Sequence, residues 1–147
     1  MHEFEQIEDA FITRLEALKS IGLETLETYS GQMNMEDMDD LTIQFPCLYV
    51  IAGGLQLDGV NRYDKYSAAI TLFVGDSHPR GSAAAARGDA LSPGVYELLK
   101  DARGLLHNKK LLAGWTPPQV TSEAPLIYAP ENNICIYTAE YRMRAVK

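Results

Sequence analysis

Residues 63–76, YDKYSAAITLFVGD, place Tyr66, Ala68, Ile70, Leu72 and Val74 at every second position, with Lys65, Ser67, Ala69, Thr71 and Phe73 between them. Period-two alternation of that length marks a strand with two distinct faces. Upstream, residues 41–54 read LTIQFPCLYVIAGG, rich in the Ile, Phe, Tyr and Val that fit a pleated surface. Pro46 has no N–H to give a ladder, so it belongs at an edge or at the start of this strand. Between the runs lies LDGVNR, whose Gly and Asn favour a turn, and the pair reads as one long antiparallel hairpin. A second hairpin closes the chain, QVTSEAPLIY and ICIYTAEYRMRAV around the turn APENN. In its last strand Cys135, Tyr137, Ala139, Tyr141 and Met143 share one face, while Thr138, Glu140, Arg142 and Arg144 dominate the other. One apolar and one wet face is the pattern of an antiparallel sheet.

The helices have a different period. Phe4, Ile7, Phe11, Leu15 and Leu18 recur at spacings of three and four, one apolar stripe of a helix over residues 4–21 that stops at Gly22. Ser92-Pro93 reads as an N-cap followed by proline at the first helical position. The helix it opens, residues 95–111, carries Val95, Leu98, Leu99, Ala102, Leu105 and Leu106 on one face. Lys100, Arg103, Lys109 and Lys110 gather toward its C-terminal end, where the dipole favours cations. LETLETYSG, from Leu23, is a short strand, and GWTPP is a turn. Residues 33–41, MNMEDMDDL, read as an acidic surface turn. Its Glu36, Asp37, Asp39 and Asp40 lack the alternate oxygens, central Gly and distal Glu of a calcium loop. The order is helix, short strand, long hairpin, helix, hairpin. That predicts one α+β domain over residues 1–147, a mostly antiparallel sheet with helices packed on one face.

Residues 77–94, SHPRGSAAAARGDALSPG, look richest in chemistry. A nucleophilic Ser needs a base within reach and an acid behind it. Neighbouring Asp76, Ser77 and His78 do not reach one another in that way, so a turn after the strand is expected. Arg87-Gly88-Asp89 is too short to signal adhesion. The glycines after the first long strand lack the Walker spacing and its lysine, and no dinucleotide fingerprint is present. Cys47 and Cys135 sit in strand-like runs and are expected as buried thiols in a reducing compartment. With three histidines and no CxxC, a metal site is not expected. No catalytic residue and no cofactor is expected. No apolar run is long enough to span a membrane, and no signal peptide is read at the N-terminus. The segment SAAAAR has high helix propensity but little to bury. Residues 77–89 are therefore expected to be mobile until they dock on a partner.

Net charge is −7 and unevenly spread. Residues 1–64 carry 13 acidic and 3 basic side chains, net −10, and residues 65–147 carry 7 and 10, net +3. The excess of acid argues against nucleic-acid recognition. The asymmetry suits head-to-tail association, an acidic patch on one copy meeting a basic patch on the next.

One resemblance spans nearly the whole chain. Arg87-Gly88, then Gly94, Val95, Tyr96, Leu98, Leu99, Asp101, Arg103, Leu105 and Leu106, then Tyr137, Glu140, Tyr141 and Arg142, follow the pattern "ARG…GVYELL.D.R.LL…YxxEYRxR". In this the chain resembles the small tail proteins of Mu-like contractile-tailed phages, related to the tail terminators of long-tailed phages. The resemblance implies a structural protein of the virion tail, made in the bacterial host cytoplasm. It implies a ring, expected to be a hexamer, that stops tube growth and meets the head-completion proteins. Its partners would be further copies of itself and the tail tube protein, with sheath and neck proteins beyond them. A neck or tail adaptor of the same fold is the alternative reading, and a small enzyme or ligand-binding domain the remaining one. The interface residues expected are Arg80, Arg87, Asp89, Arg142 and Arg144.

Overall fold

The computed structural model describes residues 1–30, 43–60, 63–90, 92–129 and 133–146. The acidic turn at 33–41 lies outside them. Along the chain come helix α1 (Glu3–Leu15), a 3-10 helix (Glu16–Ile21), β1 (Thr25–Thr28), β2 (Cys47–Val60), β3 (Tyr63–Ser77), α2 (Ser82–Arg87), α3 (Gly94–Leu106), β4 (Gln119–Ala129) and β5 (Ile134–Val146). The strands form one sheet in the order β1-β2-β3-β5-β4, with β1 parallel to β2 and every other neighbour antiparallel. The α+β reading holds.

Alternation builds the sheet's two faces. Leu48 and Val50 of β2, Ala68, Ile70, Leu72 and Val74 of β3, and Ala139, Tyr141 and Met143 of β5 all point to the helix side and are buried. Onto them α1 lays Ile7, Phe11 and Leu15, and α3 lays Val95, Leu98, Leu99, Ala102 and Leu106. Each Val, Leu, Ile, Phe or Met side chain among them contributes about 1.5–3 kcal/mol by leaving water. Phe11 meets Tyr141 edge-on, ring centres 6.0 Å apart, the geometry that ring quadrupoles favour.

Several local expectations give way to packing. The first stripe runs on through Leu18, but α1 ends at Leu15 and tightens into the 3-10 turn, which Gly22 closes with φ 110°. The long hairpin has almost no loop: β2 reaches Val60 and β3 starts at Tyr63, so residues 57–60 are ladder, not turn. Pro46 stands just before β2, and its carbonyl accepts from the Glu24 and Thr25 amides. α3 stops at Leu106, with Asn108 at φ 58° beyond it. Lys109 and Lys110 therefore lie past the helix and not on its last turn. Trp115, read as part of a turn, is 2% exposed and belongs to the core, anchored by Thr116 N–H to the Arg144 carbonyl.

The largest correction concerns SAAAAR. It is helix α2, and Ala85 and Ala86 are buried at 0% and 1% exposure in the main core. Alanines have little apolar surface, but they let α2 sit close under β3, β5 and α3. A helix with core contacts on one side is not a loop waiting for a partner.

The helix-free face is not uniformly wet either. Cys47, Tyr49, Ile134 and Ile136 form a second buried cluster on it. Tyr29, Ile43, Phe45 and Phe73 cover that cluster, Tyr29 stacking on Phe73 at 4.2 Å. Cys47 belongs to this cluster and Cys135 to the main core across the sheet, and neither is in a disulfide. Burial pushes the Cys47 thiol up to about 12. The thiolate is the reactive form. A thiol reagent at pH 8 is thus expected to label Cys47 only on unfolding. Labelling of native protein within seconds would show that the second cluster opens.

Candidate functional site

Two regions hold the polar side chains that could do work. The first is the junction of β3, α2 and α3. Asp76 continues the inward phase set by Ile70, Leu72 and Val74, so a carboxylate enters the core at the end of β3, 2% exposed. Its Oδ2 accepts from the Ser92 hydroxyl at 2.6 Å and from Gly94 N–H at 3.1 Å, and its Oδ1 from Ser77 N–H at 2.8 Å. Burial holds the carboxyl above its ordinary range, although those three bonds and nearby His78 favour the anion. Ser92 therefore does not cap α3. The helix begins at Gly94 with Pro93 before it, and Asp76 supplies the acceptor from across the core.

His78, 8% exposed, follows on the same strand end. Its Nδ1 accepts from Arg80 N–H at 3.1 Å, which assigns the ring proton to Nε2. Nε2 then donates to Asp89 Oδ2 at 2.6 Å. Asp89 also accepts from Ser92 N–H through Oδ1 at 3.1 Å, and its own N–H goes to the Ser92 carbonyl at 2.8 Å. With both ring nitrogens engaged in this way, His78 has no lone pair to activate a serine. The arrangement ties the turn after β3 to the start of α3. It holds a backbone crossing between Gly88 (φ 74°) and Gly94 (φ 78°), whose α-carbons lie too close for any side chain.

The second region is the uncovered half of the helix-free face. Arg142 and Arg144 project from β5 there, both exposed, and neither makes an ion pair among the described residues. They line a cleft of about 250 Å³ with Thr116, Pro117, Gln119 and Thr121. Arg144 also lines a shallower hollow of about 490 Å³ that adds Lys110, Trp115 and Ala145. The Lys110 ammonium donates to the Trp115 carbonyl, which fixes this cation beside the arginines. Glu140 limits the patch on the far side of Arg142.

The structure therefore splits the five expected interface residues. Arg80, Arg87 and Asp89 sit around α2 on the helix side, at the Ile134 end of β5. Arg142 and Arg144 lie on the opposite face, eight to ten residues further along β5, which is roughly 25–35 Å at strand rise. Asp89 is spent on His78 and Ser92, whereas Arg80 and Arg87 are exposed. The signal for Asp76 was present in the sequence: a carboxylate in the buried phase of a strand needs partners, and Ser92 and Gly94 are those partners.

Acid lies at the other edge of the sheet. Glu24 and Glu27 around β1 are exposed there, and Glu8 of α1 accepts from Ala52 N–H of β2 at 3.0 Å; Asp9, also exposed, instead lines a groove of α1 with Leu105 and Lys110. Among the described residues no group of three or more His, Cys, Asp or Glu is placed to hold a metal ion, and no helix is long and apolar enough to cross a membrane.

Residues 3–145 match the protein-family model described as Bacteriophage Mu, Gp37. No curated protein matches the chain.

Proposed function

Because this chain belongs to the bacteriophage Mu Gp37 family, a family of phage structural proteins, we propose that it is a tail terminator. In this reading copies join as a ring, expected to be hexameric, on the head-proximal end of the tail tube. The ring stops tube growth and presents its other side to neck and head-completion proteins. The observation that carries the reading is the sheet order β1-β2-β3-β5-β4, which puts exposed Glu24 and Glu27 at the β1 edge and exposed Arg142 and Arg144 on β5 beside the β4 edge. Two unlike surfaces at opposite ends of one subunit are what a head-to-tail ring requires. The protein acts by contact rather than by chemistry, and His78 and Asp76, the groups nearest to a catalytic arrangement, serve the fold.

Particles assembled without this protein provide the test. Tails longer than normal in negative-stain images are the expected result. Tails of normal length that lack heads would replace termination by the neck-adaptor reading. Normal, infectious particles would remove both.

A further inference from the structure

Helix α1 buries Ile7, Phe11 and Leu15 against the sheet. A surface helix ordinarily turns charged and polar side chains to its other face. Gln6, Ala10, Thr13 and Ala17, spaced by four, three and four, instead form a second line without a charge. These four line a furrow of about 660 Å³ whose opposite wall is Leu105, Lys110, Leu111 and Leu112. A hollow of about 400 Å³ continues it, sharing Ala17 and Leu105 and adding Leu18, Ile21 and Gly104. Together they run beside the chain from residue 6 to residue 21, roughly 20–25 Å at helical rise. That is the length and shape of a seat for another helix.

The charges beside this line say which helix. Ala10, Thr13 and Ala17 have the spacing of successive a, d and a positions of a heptad, which puts Asp9 at g and Arg14 at e. In a parallel pair of helices a g residue faces the e residue five positions on in its partner, and ion pairs between them set orientation. Asp9 and Arg14 are five apart and opposite in sign. Both line the furrow, and neither makes an ion pair among the described residues. Arg14 Nε donates to the Leu105 carbonyl at 3.0 Å, which holds the guanidinium against α3 while its two NH2 groups remain to donate. An antiparallel pair would instead bring like flanks together, the Asp9 and Glu16 side of one helix on the same side of the other.

We propose that α1 of a second copy docks in this furrow, parallel to the first about a two-fold axis. Ala10, Thr13 and Ala17 meet at the seam, and Asp9 of each copy lies on Arg14 of the other. Small side chains there let the two backbones approach closely. The contact is isologous, so one operation fills both furrows. Lys110, held on the Trp115 carbonyl, stands in the wall that the incoming Asp9 faces. The contact uses the helix layer and neither edge of the sheet, so it goes beyond the ring and stands or falls without it.

Thr13→Cys tests the axis and its direction, because residue 13 then faces its own copy at disulfide range. Cys47 and Cys135 are buried and do not compete. On mild oxidation a covalent dimer is expected at least about tenfold faster than for Lys109→Cys, an exposed position away from the furrow. Sedimentation measures the contact itself. Asp9→Arg and Arg14→Asp are each expected to raise the dimer dissociation constant at least about tenfold, because like charges then meet at both pairs. An equimolar mixture of the two is expected to recover the dimer, because the charges then match across both pairs. Thermal melts verify that each variant folds. Thr13→Glu sets like charges at the seam without touching the bond from Arg14 to Leu105, and is expected to dissociate the dimer even where Arg14→Asp does not fold. Wild type that sediments only as monomers or single rings, Thr13→Cys that cross-links no faster than the control, or a folded mixture that fails to recover would overturn the contact and leave the furrow to a helix of another protein.

Discussion

Gly94→Ala and Gly88→Ala are each expected to cost more than about 4 kcal/mol, a size reserved for a few named kinds of damage. A β-carbon built on Gly94 would sit 2.3 Å from the Gly88 nitrogen, and one on Gly88 would sit 2.2 Å from the Pro93 carbonyl oxygen. These contacts are backbone on both sides, so no side chain can rotate away. Both glycines also have φ near +75°, where an L side chain adds roughly 1–2 kcal/mol of strain. Relief requires separating α2 from the start of α3, which would pull Ala85 and Val95 out of the core. Melting should fall by roughly 10 °C or more. Gly104→Ala is the control: it lies in α3 with nothing within 4 Å of the new β-carbon, and should stabilise by up to about 1 kcal/mol. A Gly94→Ala protein that melts with wild type would show that the crossing is looser than described.

Asp76→Ala follows in size, at about 3 kcal/mol or more. It strands the Ser92 hydroxyl and the Gly94 and Ser77 amides, and each buried donor without an acceptor costs about 1–3 kcal/mol. Asp76→Asn should be milder but not neutral. If its carbonyl serves Ser92 and Gly94, its NH2 faces the Ser77 N–H, donor against donor. The pH dependence has a definite sign. Because the folded carboxyl titrates above the unfolded one, its contribution to stability is full below the ordinary carboxylate range and declines as pH rises through the folded value. The loss in Asp76→Ala should therefore be greater at pH 3 than at pH 7, read from denaturant midpoints at the two pH values. A loss that is greater at pH 7 would mean that the hydrogen bonds outweigh burial.

Much of the sheet was legible because its signal is local. Alternation along 63–76 and 134–146 sets which side chains face the helices, and that phase placed Arg142 and Arg144 on the other face correctly. The stripes of α1 and α3 were equally plain. What escaped depends on distant parts of the chain. Ser92-Pro93 has the local form of a helix start, yet the carboxylate of Asp76, sixteen residues earlier, takes the serine hydroxyl. The propensity of Ala83–Ala86 for helix was visible, but how closely other elements approach Ala85 and Ala86 was not. Ile134 and Ile136 share parity with the wet residues of β5 and are dry only because Tyr29 and Phe45 fold across them. For the same reason the charge imbalance of the two halves could be counted beforehand, while the place of β5 and its arginines next to the β4 edge needed the strand order.

The strand order carries a consequence for polarity. A subunit whose left edge is β1 and β2 and whose right edge is β4 cannot be turned over and still match its neighbour. Any closed circle made through those edges has a front and a back of different composition, with no further chemistry needed to tell them apart. In the ring proposed above, that difference alone would let one kind of chain face two kinds of partner.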